Sequence, residues 1–187
     1  MPSRVTFKAE DIWDTPDDGN RYEVIGGDLY MTPPPLDAHQ AVVTALSAIL
    51  WEFVRRHRLG HVRVAPFGVV LDASNGLQPD VVFISNARSR ILSTRGAEGA
   101  PDLVIEVLSP STASTDRGLK MRRYATSGVE HYWIVDPTRH TIQEYMLGNV
   151  GMSLHRRPGP LTSFIRVSSP PHSSNTGALA LEPPLSA

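Results

Sequence analysis

The sequence predicts an α/β (α+β) domain: a central mixed β-sheet flanked by helices. Two observations carry that expectation. Short apolar runs of strand length are punctuated by Gly, Pro, Asn and Asp, and two longer stretches have helical character. The resulting order is hairpin, helix, several strands, helix, hairpin, which suits a sheet covered by helices.

The first hairpin is written in "RYEVIGGDLYMTPPP". Residues 22–25 and 28–31 are the arms, Gly26-Gly27 is the turn, and three prolines stop the second arm. Asp37 then fits an N-cap, and Val42, Val43, Leu46, Ile49, Leu50, Phe53 and Val54 recur at helical spacing. Gly60 is the expected helix stop. "HVRVAPFGVVLDA" and "QPDVVFIS" read as two strands around a Ser-Asn-Gly turn, followed after a polar loop by a strand over 102–108. "SPSTASTDRGLKMRRYATSG" reads as the second helix, capped by Ser114 or Thr115 and ended by Gly128. "EHYWIVD" and "HTIQEYM" form the closing hairpin around Pro137-Thr138-Arg139.

The chain of 187 residues is long enough for one domain with a real core. The domain is expected over residues 1–147. From 148 to 187 the composition turns to Pro, Ser and Gly without period, which predicts a mostly disordered, atypical C-terminal tail. A formal net charge of −1 gives no global basic field, so a polyanion partner needs a local site. The absence of cysteine excludes disulfides, zinc-thiolate centres and thiol nucleophiles, and fits a cytoplasmic protein. No signal-peptide core or membrane-length apolar run is visible, so no membrane partner is expected.

The chemically informative stretch is "PDLVIEVLSPS". Leu103, Val104, Ile105, Val107 and Leu108 read as a strand buried on both faces, with Glu106 in its middle. A lone ionised carboxylate there is costly unless it is paired or binds a cation. Alternation puts Glu106 on the face of Asp102, Val104 and Leu108. Asp80, after Pro79, opens the preceding strand and meets Glu106 if the two strands are neighbours. Converging carboxylates require a cation between them, and Mg²⁺ suits a site with one or two carboxylates plus water and phosphate. That chemistry serves phosphodiester hydrolysis. Lys120, four residues after Asp116, approaches the same point if the second helix folds back over the strand end.

"QPDVVFIS", the run from Gly99 to Tyr145, and the earlier "RYEVIGGDLYMTPPPLDAHQAVV" together resemble the Uma-type restriction endonuclease family of the PD-(D/E)xK superfamily. The resemblance covers roughly residues 20–146. It implies a restriction-endonuclease-like fold and Mg²⁺-dependent hydrolysis of DNA, with Mn²⁺ as a substitute ion. Asp80 and Glu106 would be the metal ligands, aided by the Val107 carbonyl. Two features depart from the pattern. Leu108 stands where the superfamily motif has lysine, and Lys120 matches a lysine moved onto the next helix. The tail also lacks the family's usual ending.

His39 and Glu23 are secondary candidates because the resemblance sets them near the metal. Their plain readings are a hydrogen-bonded helix-start histidine and a solvated strand residue. Asp116 is a further candidate whose plain reading is a helix-start acid, with Asp116–Lys120 as a surface pair worth about 0.3–0.5 kcal/mol. Asp102 reads as a solvated acid, Trp133 as core, and Ser109 and Ser111 as a loop leading into the helix. Arg55, Arg56, Arg58, Arg122 and Arg123 read as phosphate contacts or as solvated helix faces. The competing function is a nuclease-fold protein with little or no turnover, acting as a nucleic-acid-binding or interaction module. A homodimer is compatible with either reading.

Overall fold

The computed structural model describes residues 6–160. A short 3₁₀ turn, Ala9–Trp13, leads into the hairpin β1 (Arg21–Ile25) and β2 (Asp28–Thr32). Helix α1 (Asp37–His57) follows, then β3 (Gly60–Val64), β4 (Gly68–Asp72), β5 (Asn75–Leu77) and β6 (Val81–Ser85). After the 3₁₀ segment Asn86–Ile91 come β7 (Gly96–Glu98) and β8 (Leu103–Val107). The second helix, here α2, has three consecutive pieces: Ala113–Thr115, a π-helical turn Asp116–Lys120, and Met121–Thr126. Strands β9 (His131–Asp136), β10 (Thr141–Gly148) and β11 (Gly151–Pro160) complete the chain. Among the described residues no helix is long and apolar enough to cross a membrane.

The strands form two mixed sheets, one ordered β2-β1-β5-β4-β7 and the other β11-β10-β9-β8-β6-β3. In the larger sheet only β8 and β9 are parallel; the rest alternate. One face of that sheet lies under α1, where Val43, Leu50 and Val54 pack on Phe83, Ile105, Val107 and Trp133. The other face meets the smaller sheet and α2, joining Val82, Val104 and Ile134 to Ile25, Val69, Leu77 and Tyr124. The layers are therefore helix, large sheet, then small sheet with helix. The burial of β6 and β8 on both faces explains their nearly unbroken apolar sequences.

Several local expectations are corrected. Asp37 occupies the first turn of α1 rather than its cap, which is Leu36. The left-handed C-terminal residue is Arg58, at φ 54°. Gly60 is already in β3, where an added Cβ would stand 2.1 Å from the Ile84 carbonyl oxygen; close strand approach, not helix termination, requires glycine. The run read as one strand, "HVRVAPFGVVLDA", is two. Pro66, with no N–H to donate, interrupts it, and β3 and β4 join different sheets. Asn75 and Gly76, expected in a Ser-Asn-Gly turn, instead belong with Leu77 to β5, which lies between β1 and β4.

The ordered domain also passes the expected boundary at 147. Residues 151–160 pair antiparallel with β10 as β11, so this part of the proposed disordered tail is a sheet edge. Residues 161–187 lie outside those described.

Candidate active site

Glu106 is 1 % exposed within β8, whose other residues are apolar. The predicted alternation holds: Leu103, Ile105 and Val107 face α1, while Val104 and Leu108 face the smaller sheet. Glu106 shares the latter face, and its Oε1 accepts hydrogen bonds from Tyr124 Oη at 2.8 Å and Lys120 Nζ at 3.2 Å. Lys120 is itself buried and also lies 2.8 Å from Glu23 Oε2 and 3.4 Å from Asp116 Oδ1.

Helix α2 reaches this point through its irregular turn. Asp116, Lys120 and Tyr124 are spaced by four, a series that drifts by about 40° per step around an ideal α-helix. The wider π turn at 116–120 offsets that drift, so all three side chains enter the space between the sheets. Tyr132 of β9 donates to the Asp116 carbonyl at 2.9 Å, satisfying a backbone group of the π turn.

Asp80 arrives from the other side. Val81 of β6 pairs with Ile105 of β8, which carries Asp80 to the Glu106–Val107 end of β8. Val107 N donates to Asp80 Oδ2 at 2.8 Å, and His39 Nε2, in the first turn of α1, lies 3.1 Å from the same oxygen. Arg21 Nη2 donates to Oδ1 at 2.8 Å. Asp80, Glu106, Asp116, Lys120, His39 and Glu23 line one cavity of about 310 Å³. The Pro33–Pro35 run walls one side, and the loop bearing Ser109 and Ser111 walls another.

The two central acids are pushed in opposite directions. Burial pushes Asp80 up, but the His39 hydrogen bond and the Arg21 charge outweigh it and hold Asp80 at about 2. Burial raises Glu106 well above the ordinary carboxylate range; Lys120 opposes this, while Asp116 and Asp80 add to it. Asp116 is raised for the same reasons, burial first and Lys120 in opposition. Burial opposes the Lys120 charge, yet Glu106, Glu23 and Asp116 carry its value above normal. Four buried carboxyl groups thus face two fixed cations, Arg21 and Lys120. Asp116 Oδ1 and His39 Nδ1 are buried without a hydrogen-bond partner.

The structure brings together every candidate site residue: Asp80, Glu106, Val107, Lys120, His39, Glu23 and Asp116. Three plain readings are corrected. Glu23 is not solvated but 3 % exposed, accepting from Gln78 N at 2.9 Å. Asp116 and Lys120 are not a surface pair, since both are buried in the cavity wall. Asp102 is mostly covered, accepting from Ser85 N at 2.7 Å and Ser85 Oγ at 3.0 Å, with Arg88 Nε at 3.3 Å. Trp133 is core, and Ser109 and Ser111 bond each other at 3.0 Å within a loop.

Sequence reasoning missed Arg21 and Tyr124. Arg21 precedes Glu23 by two in a strand, so the two share a face. Tyr124 follows Lys120 by four. Both signals follow once Glu23 and Lys120 are set in the site. Among the described residues no group of three or more His, Asp or Glu side chains stands ready to hold a metal ion.

Residues 9–170 match the family Uma2, described as "Putative restriction endonuclease". A solved structure described as a putative nuclease belonging to DUF820, from Anabaena variabilis ATCC 29413, is similar with a TM-score of 0.65. It is 18% identical, and the match covers 82% of this chain and 83% of that one, so the likeness concerns the fold. No curated protein matches.

Proposed function

The chain belongs to the Uma2 family, and from that family's description, "Putative restriction endonuclease", and the cavity we propose that the protein hydrolyses DNA phosphodiester bonds with a divalent cation, Mg²⁺ or in its place Mn²⁺. One observation carries this reading: four buried carboxyl groups gather round only two fixed cations, with Glu106 and Asp116 both pushed up. A divalent ion would balance that excess; Asp116 Oδ1, 3.4 Å from Lys120 Nζ, still has no hydrogen-bond partner. Mg²⁺ commonly takes only one or two protein carboxylates, which Asp80 and Glu106 could supply, and fills its octahedron with water and phosphate oxygen.

Asp80 and Glu106 would hold the ion, with the Val107 carbonyl. Bound there, it would supply charge neutralisation at the phosphate and a more acidic water. The chain's own groups do the rest. Lys120, held by three carboxylates, presents a fixed ammonium to a phosphate oxygen or to the attacking water. In the tautomer that donates from Nε2 to Asp80, His39 would hold that carboxylate in place for the ion. The attacking water gives up a proton to solvent as its oxygen bonds to phosphorus, the bond to the leaving sugar oxygen breaks, and that oxygen takes up a proton from solvent.

Cleavage of supercoiled plasmid by purified protein tests the proposal. The expected result is cleavage with Mg²⁺ or Mn²⁺, reduced by about 10²-fold or more in Glu106→Ala, Asp80→Ala and Lys120→Ala. Cleavage that persists in Glu106→Ala overturns it. A second reading has its own support: Asp80 is already paired with Arg21, and Glu106 with Lys120. On that reading the fold is a quiet binding or interaction module. It predicts no heat of divalent-ion binding by calorimetry and the same response in Glu106→Gln.

A further inference from the structure

The acid cavity does not stand alone. A second hollow of about 270 Å³ shares Arg21, His39, Asp80 and the Pro33–Pro35 wall with it. A third, of about 320 Å³, shares Ser109 and Pro110 with it on the opposite side. Strand order explains the alignment. The end of β3, the start of β6 and the ends of β8 and β9 all lie at one edge of the large sheet. Across β3-β6-β8-β9, three strand spacings span about 14 Å, which matches about four nucleotides at the ~3.4 Å rise of a duplex strand. The three hollows lie in a row along that edge, a trough divided by the walls they share, with Glu106 and Asp80 lining the middle one.

The two ends of the trough differ in charge. The end beyond β3 carries Asp17, Asn20 and Gln78, and its one cation, Arg21, is engaged by Asp80. The end beyond β9 carries Arg117 and Arg139, which share a single acid, Asp136. Asp136 Oδ2 lies 3.3 Å from Arg139 Nη1 and 3.7 Å from Arg117 Nη2. Its Oδ1 is occupied by the backbone N–H groups of Thr138 and Arg139, so the carboxylate is anchored in the turn. The Arg139 side chain, though paired with Asp136, is 75% exposed and so open to a ligand. Two guanidinium groups on one anchored acid leave one positive charge in excess, one strand over from Glu106.

We infer that this end of the trough, built by Arg117 and Arg139, is a phosphate subsite that holds the strand one or two nucleotides from the bond to be cut. The inference rests on the nucleolytic reading for its substrate class. The subsite recognises a backbone phosphate by paired guanidinium donors, without reading a base, so the trough takes a nucleic-acid strand rather than a free nucleotide.

Fluorescence anisotropy of a labelled decanucleotide, in chelator and without metal, reads the subsite independently of cleavage. Arg139→Ala and Arg139→Glu are expected to weaken decanucleotide binding about 5- to 10-fold and to reduce the salt slope by about one. Arg56→Glu makes the same charge change at an exposed site on α1 and is expected to alter both far less. In cleavage assays, Arg139→Ala should raise KM and leave kcat near its normal value. Equal losses in Arg139→Glu and Arg56→Glu, or an unchanged affinity and salt slope in Arg139→Glu, overturn the subsite. Weakened binding specific to Arg139, in a protein that cleaves nothing with any metal, supports the subsite and sinks the nuclease reading. Normal cleavage with unchanged KM in Arg139→Ala sinks the subsite alone.

Discussion

Asp102 and Glu106 stand four residues apart on the same strand face, and their surroundings are opposites. Asp102 lies just before β8, where the Ser85 amide, the Ser85 hydroxyl and Arg88 answer its oxygens. Glu106 lies at the far end of the same strand, beside two other carboxyl groups, Glu23 and Asp116, and a lysine that all three share. The first acid closes a structural joint between β6 and the segment before β8. The second sits where negative charge exceeds its compensation inside the protein. Sequence alternation alone makes the two look alike; what separates them is the supply of donors from other elements.

The sharpest way to break the contrast is to remove Lys120. Lys120→Met would leave Glu23, Glu106 and Asp116 buried without their common cation. Removing one partner of a buried ion network costs about 3–5 kcal/mol, which lowers Tm by roughly 10 °C in a domain of this size. Adding Glu106→Gln should recover part of that loss, because one of the repelling charges goes with it. Thermal melts of both variants check this. A Lys120→Met protein as stable as the parent would mean that the cluster holds its charge by other means.

pH separates the two central carboxyls next. Burial raises Glu106 and Asp116 in the folded chain. Well below their unfolded values, about 4.3 and 3.9, both are neutral whether folded or not. As pH rises past those values the unfolded chain ionises first, so stability falls until the folded groups also lose their protons. Asp80 acts in the reverse sense. Its folded value of about 2 gives stability that is complete above its unfolded value and lost as pH falls toward 2. Stability should therefore decline on both sides of about pH 4 from these groups alone. Glu106→Gln should flatten the alkaline decline and leave the acid one. Excess Mg²⁺, which binds the ionised form, should raise Tm more at about pH 8 than at about pH 5. An equal Mg²⁺ effect at both values, or none, would count against a metal at Glu106.

Much of this was legible beforehand, and the reason differs by element. The faces of β8 followed from period-two alternation, and the placing of Asp80 and Glu106 in one cavity followed from adjacent strands. The π turn was not legible, since the sequence of 113–126 is compatible with an unbroken α-helix. Without it, Asp116 read as an exposed acid. The split at Pro66 and the pairing of β5 were hidden because they depend on a second sheet, whose existence no local pattern announces. Strand β11 was hidden by composition: "GMSLHRRPGP" has little β-propensity of its own and is ordered by its partner β10. Arg21 and Tyr124 were missed because ordinary strand and helix positions disguise residues whose partners come from distant segments.

The smallest effect belongs to the other acid of the pair. Asp102→Asn keeps the shape of the side chain and one carbonyl oxygen, but weakens the charge-assisted bonds to Ser85 N and Arg88. Hydrogen bonds to charged groups contribute about 1.5–3 kcal/mol and the amide retains part of that, so a loss of about 1 kcal/mol is expected. Denaturant melts should show that shift with an unchanged m-value. Plasmid cleavage and Mg²⁺ response should stay at parental levels, since the Ser85–Asp102 joint lies at the opposite end of β8 from the cavity. If Asp102→Asn instead reduced cleavage as much as Glu106→Ala, the division between a structural and a chemical acid on this strand would fail, because both would then act through the fold rather than through the site.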